Sequence, residues 1–287
     1  MSEKAFKYFT YIFLTMIMLI IAYPLYFVVI ASFSDPFEVF AGNTFFWVSQ
    51  PTLEGYRRVF EEPSILRGYQ NTILYTTIGT FVSTLLVLIT AYPLSRKLPG
   101  KRIIMIFFVI TMFFSGGLIP TFLVVQNLGL INSMWALILP GGVSVFNVIV
   151  ARNFFETSIS NEMYEAAEID GSSELLTFIK IVIPLSKPII AVMVVFAMVA
   201  YWNDWFTALI YLPDRDMAPL QLVLRTVLVR GQATITGDLV GGFVERQRIT
   251  ELIRFASIIV STVPMLVVFP FVQKYFEKGL MAGAIKG

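Results

Sequence analysis

Long stretches of this chain contain no charged residue, and they determine how it is organised. Five runs lack Asp, Glu, Lys and Arg, and the third of them is 49 residues long. The runs are 8–34, 68–95, 103–151, 188–203 and 255–273. A helix needs about 20 mostly apolar residues to cross the hydrocarbon core of a bilayer. The pattern therefore predicts a series of membrane-spanning helices rather than a water-soluble globule.

Two of the runs do not correspond to one helix each. The 49-residue run must hold two helices, and we expect the break at 126–129, where the sequence reads Gln-Asn-Leu-Gly. Run 188–203 is short, but the chain is again uncharged from Trp205 to Leu212, so one helix with Asp204 inside it is predicted. The six predicted spans are 9–33, 70–95, 103–125, 133–152, 187–211 and 254–274.

Composition supports this interpretation. Hydrophobic residues make up 57% of the 287 residues and charged residues 14%, against about 25% charged residues in soluble domains. We therefore expect an all-α integral membrane protein forming a single transmembrane domain over 1–287. The chain has no Cys and no His and a net charge of +2. This composition argues against disulfides, a metal site and nucleic-acid binding, and no cofactor is expected on the chain itself.

Basic residues near the span ends predict the orientation. Lys4 and Lys7 precede the first span, and four basic residues lie between the second and third: Arg96, Lys97, Lys101 and Arg102. With six spans, both termini are predicted to be cytoplasmic. The N-terminal run of about 25 apolar residues is too long for the core of a signal peptide, so it is interpreted as the first span.

The segment 156–186 is predicted to be a cytoplasmic elbow between the fourth and fifth spans. It carries an acidic stretch with two adjacent alanines, and 161–170 has the pattern of a short helix. Gly171 stands where a helix ends in the left-handed conformation. Ser172 is expected to cap a second short helix with Glu174 in its first turn.

The elbow carries a motif that is specific in residue type and spacing. It comprises Glu165, Ala166, Ala167, Asp170 and Gly171, followed by Phe178, Ile181, Pro184-Leu185 and Pro188. This pattern resembles the EAA motif of permease subunits in binding-protein-dependent type I ABC importers. The stretch 201–206 (Tyr-Trp-Asn-Asp-Trp-Phe) and the tail 278–287 resemble the carbohydrate-uptake branch, in particular maltose-type and pectin- or alginate-oligosaccharide permeases.

The resemblance implies a mechanism and a set of partners. Two permease subunits would form a pore in the bacterial plasma membrane, and two ATPase subunits carrying ATP and Mg²⁺ would each bind one EAA elbow. An extracytoplasmic binding protein would deliver an oligosaccharide. The chain itself has no G-x-x-x-x-G-K-[ST] phosphate loop, so we expect it to be a translocation subunit without an ATPase site.

Polar and aromatic residues within the predicted spans are candidates for the substrate path. They are Asn147, Trp202, Asn203, Asp204 and Trp205. An ionisable residue at membrane depth is a functional candidate by default, and aromatic faces suit sugar rings. The same residues also fit an aromatic belt at the membrane surface or polar contacts between helices.

Two long segments, 34–69 and 212–253, are predicted to be extracytoplasmic. The second carries four glycines, and the resemblance implies that it reaches the binding protein: Gly231, Gly237, Gly241 and Gly242. Three other functions remain open at this stage. They are an ABC permease for a non-sugar solute, an ion-coupled secondary transporter and a membrane-embedded enzyme, although the chain shows neither internal repeats nor clustered intramembrane charges.

Overall fold

The structure, a computed structural model, describes residues 3–233 and 240–284, and these residues are almost entirely helical. The helices are α1 (Glu3–Ser32), α2 (Pro36–Phe40), α3 (Glu54–Glu61), α4 (Pro63–Ser95), α5 (Lys101–Phe113), α6 (Leu118–Asn127), α7 (Trp135–Ile138), α8 (Val145–Ser158), α9 (Asn161–Ile169), α10 (Glu174–Thr177), a π-helix (Phe178–Val182), α11 (Ile183–Leu185), α12 (Lys187–Trp202), α13 (Phe206–Tyr211), a 3₁₀ turn (Arg215–Met217), α14 (Leu220–Ala233) and α15 (Val240–Ala284). Over these ranges the β-structure consists of one antiparallel bridge, between Ser34 and Pro51.

Three stretches of helix are long and apolar enough to cross a membrane. They are Phe6–Ser32, Pro63–Ser95 and Arg248–Pro270, and their most apolar 18-residue segments have mean hydropathies of 2.5, 1.9 and 2.2. Two bent pairs of shorter helices pass the same test, so the described part of the chain offers up to five spans. The all-helical membrane class is confirmed, whereas six spans remain a prediction.

The span predicted at 103–125 is not one straight helix. It consists of α5 and α6, whose axes differ by 113°. The break falls at Phe114–Gly117, a stretch with two adjacent glycines that leaves the helical conformation. Glycine weakens a helix because it loses the most conformational freedom on folding. The boundary expected at 126–129 is confirmed, since α6 ends at Asn127 and Gly129 has a φ of 69°.

The spans predicted at 133–152 and 187–211 are also interrupted. In the first, only Trp135–Ile138 and the helix from Val145 onward are α-helical, and the sequence Pro140-Gly141-Gly142 lies between them. Proline cannot donate a helical hydrogen bond and glycine has low helix propensity. In the second, α12 ends at Trp202 and α13 begins at Phe206. Prediction from charge-free length did not detect either break.

The chain divides into two compact units. The first contains the described residues of 1–66 and 223–264, and the second those of 67–222 and 265–287. In the first unit, Arg248 forms ion pairs with Asp35 (2.9 Å) and Glu54 (3.5 Å). Gly55 of α3 lies so close to α15 that a Cβ atom there would be 2.6 Å from the Leu252 carbonyl oxygen.

The core of the second unit lies between α4, α8, the elbow and α12. Its buried side chains come from all of these segments: Val87, Leu88, Ala91, Tyr92, Leu94, Val148, Ala151, Phe155, Ile159, Tyr164, Phe178, Val182, Ile189 and Met193. The elbow is therefore packed onto two long helices of the unit instead of extending freely from it.

Candidate functional site

The first part of the elbow is α9, which ends in a Schellman turn. Gly171 has a φ of 74°, as the sequence predicts. The Ser172 N–H donates to the Ala167 carbonyl (2.9 Å) and the Gly171 N–H donates to the Glu168 carbonyl (3.0 Å). These are the two hydrogen bonds that define the motif, and they satisfy carbonyls that the helix end would leave free. The predicted left-handed turn at Gly171 is confirmed.

The second helix of the elbow begins one residue later than predicted. Ser173, not Ser172, is its N-cap, and its Oγ accepts a hydrogen bond from the Leu176 N–H (3.3 Å). Ser172 instead belongs to the Schellman turn, where its N–H donates to the Ala167 carbonyl. Glu174 lies in the first turn as expected. The chain then bends by 83° between Glu174–Leu185 and α12.

The motif residues of α9 divide between two faces. Glu165, Ala166 and Asp170 are exposed, whereas Ala167 is buried. Only one of the two adjacent alanines is therefore available to a partner. The buried side chains of α9 are Tyr164 and Ala167, and they attach the helix to the rest of the unit.

Arg96, at the end of α4, is the principal polar contact of α9. Its guanidinium lies 3.7 Å from the centre of the Tyr164 ring and 3.1 Å from the Glu168 carboxylate. It is also 3.9 Å from Glu174, which accepts a hydrogen bond from the Tyr92 hydroxyl (2.5 Å). One arginine therefore joins α4 to both short helices of the elbow. The sequence analysis used Arg96 only as a topology signal, since its partners lie about 70 residues further along the chain.

A second ion-pair cluster lies beside the elbow. Glu156 of α8 pairs with Lys101 of α5 and with Arg152, whose Nη2 is 2.7 Å from the carboxylate. Burial acts to raise the pKa of Glu156, but hydrogen bonds from Lys101 and Arg152 outweigh it and hold the pKa below its ordinary value. The carboxylate is thus ionised at neutral pH and fixes the α5 and α8 ends together.

The break after α12 places Asn203 and Asp204 between two helix ends. The Asn203 Nδ2 donates to the Val199 carbonyl (2.8 Å) near the end of α12. The Asp204 carboxylate accepts a hydrogen bond from the Thr207 N–H (3.1 Å) at the start of α13. Non-helical backbone at membrane depth is tolerated where it lines a cavity or is buried in protein. Here the two side chains satisfy backbone groups that the break exposes.

A cleft of about 1050 Å³ opens at this break. It brings together four of the five residues predicted for the substrate path: Asn147, Asn203, Asp204 and Trp205. Ser83 of α4 and Thr121 of α6 add polar groups, and Tyr201 and Phe206 add aromatic ones. None of the described residues that line the cleft is Lys or Arg.

Trp202 does not line this cleft. Its side chain is buried and its ring lies 6.4 Å from that of Tyr69. Tyr201 lines the cleft but was not among the residues predicted for the substrate path. Its ring lies against Gly79, and its hydroxyl donates to the Ile138 carbonyl (3.2 Å).

Three of the four glycines predicted to contact a binding protein lie in helices. Gly231 lies in α14, Gly241 and Gly242 lie in α15, and Gly237 is outside the described residues. The predicted loop 212–253 is therefore largely helical. Contact of these glycines with a binding protein remains a prediction.

Comparison with known proteins supports the membrane-transport interpretation. The chain is 40% identical over 288 residues to the polygalacturonan/rhamnogalacturonan transport system permease protein YtcP of Bacillus subtilis, covering 100% of both chains. It is 40% identical over 266 residues to the protein LplC of the same organism, covering 92% of this chain and 89% of LplC. No protein-family model matches the chain.

A solved structure shows the same fold. The chain superimposes with a TM-score of 0.85 on a chain of a bacterial ABC transporter involved in the import of the acidic polysaccharide alginate. The sequences are 30% identical, and the alignment covers 96% of this chain and 98% of the other.

Helices long and apolar enough to cross a membrane, together with a cleft at a helix break, fit a membrane transport subunit. The two relatives and the solved structure, each aligned over nearly the whole chain, identify the kind of transporter. The chain belongs to the permease subunits of ABC transporters that import oligosaccharides.

Proposed function

We propose that this chain forms one half of an oligosaccharide path, with the cleft at the α12–α13 break as the surface that contacts sugar. The proposal is supported mainly by the convergence of Asn147, Asn203, Asp204 and Trp205 on one cavity of about 1050 Å³. That volume is at the upper end of the usual range for ligand sites, about 300–1,000 Å³. Amide and carboxylate groups suit sugar hydroxyls, and aromatic rings suit the apolar face of a pyranose.

The exposed face of α9 is proposed to bind the ATPase. Glu165, Ala166 and Asp170 are exposed, and Gly171 turns the chain directly after them. The resemblance also assigns Ala167 to coupling. Its contribution would be indirect, because its small buried side chain allows α9 to pack closely on the rest of the unit. ATP and Mg²⁺ would be bound by the ATPase subunits, because the chain lacks a phosphate loop of its own.

The remaining partners follow from the same proposal. A second permease subunit would complete the path, and an extracytoplasmic binding protein would deliver the sugar. The elbow and both termini would face the cytoplasm, which places 34–69 and much of 212–253 on the outer side. The cluster of Arg96, Lys97, Lys101 and Arg102 beside the elbow agrees with this orientation, because basic residues favour the cytoplasmic side.

The decisive test is ATP-dependent uptake by the complete complex in proteoliposomes. An oligogalacturonide and a maltodextrin are offered in parallel, since relatives are named for transport of polygalacturonan and of maltodextrin. We expect uptake of at least one of them that requires both ATP and the binding protein.

A bulky residue in the cleft shows whether the sugar passes through it. Thr121 lines the cleft, whereas the nearby Leu123 is exposed and does not. Thr121→Trp should abolish uptake while the complex assembles normally, and the matched variant Leu123→Trp should transport like the wild type. Uptake that is unaffected by Thr121→Trp would place the path elsewhere.

A further inference from the structure

The segment 43–49, which follows α2, presents three adjacent aromatic side chains outward. Phe45 is 58% exposed, Phe46 65% and Trp47 82%. They lie within a run of 15 residues, 39–53, that contains no charged residue. Exposed aromatic residues at this density on an irregular segment indicate an interaction surface.

Two tyrosines of α1 hold this segment against the helix. The Tyr23 hydroxyl donates to the Phe45 carbonyl (3.4 Å), and the Tyr26 hydroxyl donates to the Phe46 carbonyl. The rings of Tyr23 and Phe46 are 6.1 Å apart. The chain thus folds back along the side of α1 before it returns to Pro51.

The positions of these tyrosines give the depth of the segment. Tyr26 and Tyr23 lie six and nine residues before the end of α1 at Ser32, or about 9 and 14 Å along the helix axis. The most apolar 18-residue part of Phe6–Ser32 has a mean hydropathy of 2.5, and none of its side chains is buried within the chain. The 27 residues of Phe6–Ser32 exceed by about seven the length that a bilayer core requires. If this stretch spans the bilayer, Tyr23 and Tyr26 would lie near the boundary between acyl chains and headgroups.

The two halves of the segment differ in polarity. Toward its base, the Glu38 carboxylate accepts hydrogen bonds from Asn43 (2.9 Å), Ser49 (3.0 Å) and Gln50 (3.2 Å). At its tip, the carbonyls of Phe45 and Phe46 are bonded to tyrosine hydroxyls. Such pairing is needed where water is scarce, because an unsatisfied carbonyl in apolar surroundings is costly.

We propose that Phe45, Phe46 and Trp47 insert into the lipid leaflet at the C-terminal end of α1 and anchor the first unit at the membrane interface. Aromatic side chains, and tryptophan above all, concentrate at this depth. The surface of the tip continues the apolar surface of α1. The inference depends on α1 crossing the bilayer and not on which solute is transported.

Depth measurement on spin-labelled protein tests this proposal. The chain has no Cys, so single variants Trp47→Cys, Phe45→Cys, Ile12→Cys and Glu62→Cys can be labelled in the complete complex in phosphatidylethanolamine/phosphatidylglycerol vesicles. Ile12 is an exposed residue of α1 and serves as the lipid reference. Glu62 is an exposed charged residue and serves as the water reference.

The collision rates of each spin label with O₂ and with a nickel chelate show whether the label lies in lipid, in water or beneath protein. We expect the O₂-to-nickel ratio at positions 47 and 45 to be several-fold higher than at 62 and to approach that at 12. A ratio equal to that at 62 would mean that the tip is in water and would overturn the proposal. Exclusion of both reagents with an immobilised spectrum would mean that protein covers the tip and would equally overturn it. Measuring Phe45→Cys, which keeps Trp47, guards against a local change caused by losing the tryptophan.

Discussion

At the residue scale, Asn203 and Asp204 have a structural role as well as a place in the cleft. Each side chain bonds to a backbone group at a helix end, Asn203 at the end of α12 and Asp204 at the start of α13. The sequence left open whether these residues line the substrate path or have a structural role. The geometry shows that the two roles are compatible, because the same break that needs capping also opens the cleft.

Asp204 allows its capping role and its charge to be separated. Asn and Asp are comparable helix caps, whereas Ala at a cap costs about 0.5–2 kcal/mol. Asp204→Asn should therefore leave the thermal stability and yield of the complex unchanged, and Asp204→Ala should lower both. Sugar uptake should fall in both variants if the carboxylate also contacts substrate. Equal loss of stability in the two variants would show that the charge, and not the cap, stabilises the break.

At the element scale, local patterns in the sequence predicted the elbow well and the spans less well. The turn at Gly171 was predictable because its φ of 74° follows from a local requirement for glycine. The breaks at Phe114–Gly117 and within 139–144 were missed because the length of a charge-free run carries no information on helix continuity. Glycine and proline in those runs are the available signal.

Contacts between distant elements could not be predicted in the same way. Arg96 and Tyr164 are 68 positions apart in the sequence, and no local periodicity relates them. In the structure, this contact fastens α9 to α4. Tyr164 and Ala167 are three residues apart and lie on the same buried face of α9.

Removal of Arg96 should loosen α9. A cation–π contact is worth about 0.5–2 kcal/mol, which corresponds to roughly 2- to 30-fold in a local opening equilibrium. Arg96→Gln should therefore speed amide hydrogen exchange across 163–172 by such a factor. Arg67→Gln, which removes the ion pair with Asp216 at the other end of α4, is the matched control and should leave exchange there unchanged. Unaltered exchange in Arg96→Gln would show that apolar packing alone holds the elbow.

At the scale of the whole molecule, the cleft and the elbow belong to the same compact unit, residues 67–222 and 265–287. Helix α4 reaches both, since Ser83 lines the cleft and Tyr92 bonds to Glu174 of the elbow. Helix α12 also links them, because it starts directly after the elbow and ends at the break. A displacement of the elbow would therefore reach the cleft through two packed helices.

The ratio of sugar imported to ATP hydrolysed, measured on the same proteoliposomes, tests the central claim most directly. Two variants alter the elbow: Glu165→Ala removes an exposed carboxylate, and Gly171→Val strains a left-handed position. A Cβ at Gly171 meets no atom within 4 Å, so its effect is backbone strain of about 1–3 kcal/mol. Glu162→Ala is the matched control, an exposed carboxylate of the same helix outside the motif.

We predict that both elbow variants insert normally but lose uptake, either by releasing the ATPase or by hydrolysing ATP without transport. Glu162→Ala should keep the wild-type ratio. Wild-type ratios in Glu165→Ala and Gly171→Val, with the ATPase still bound, would contradict the account.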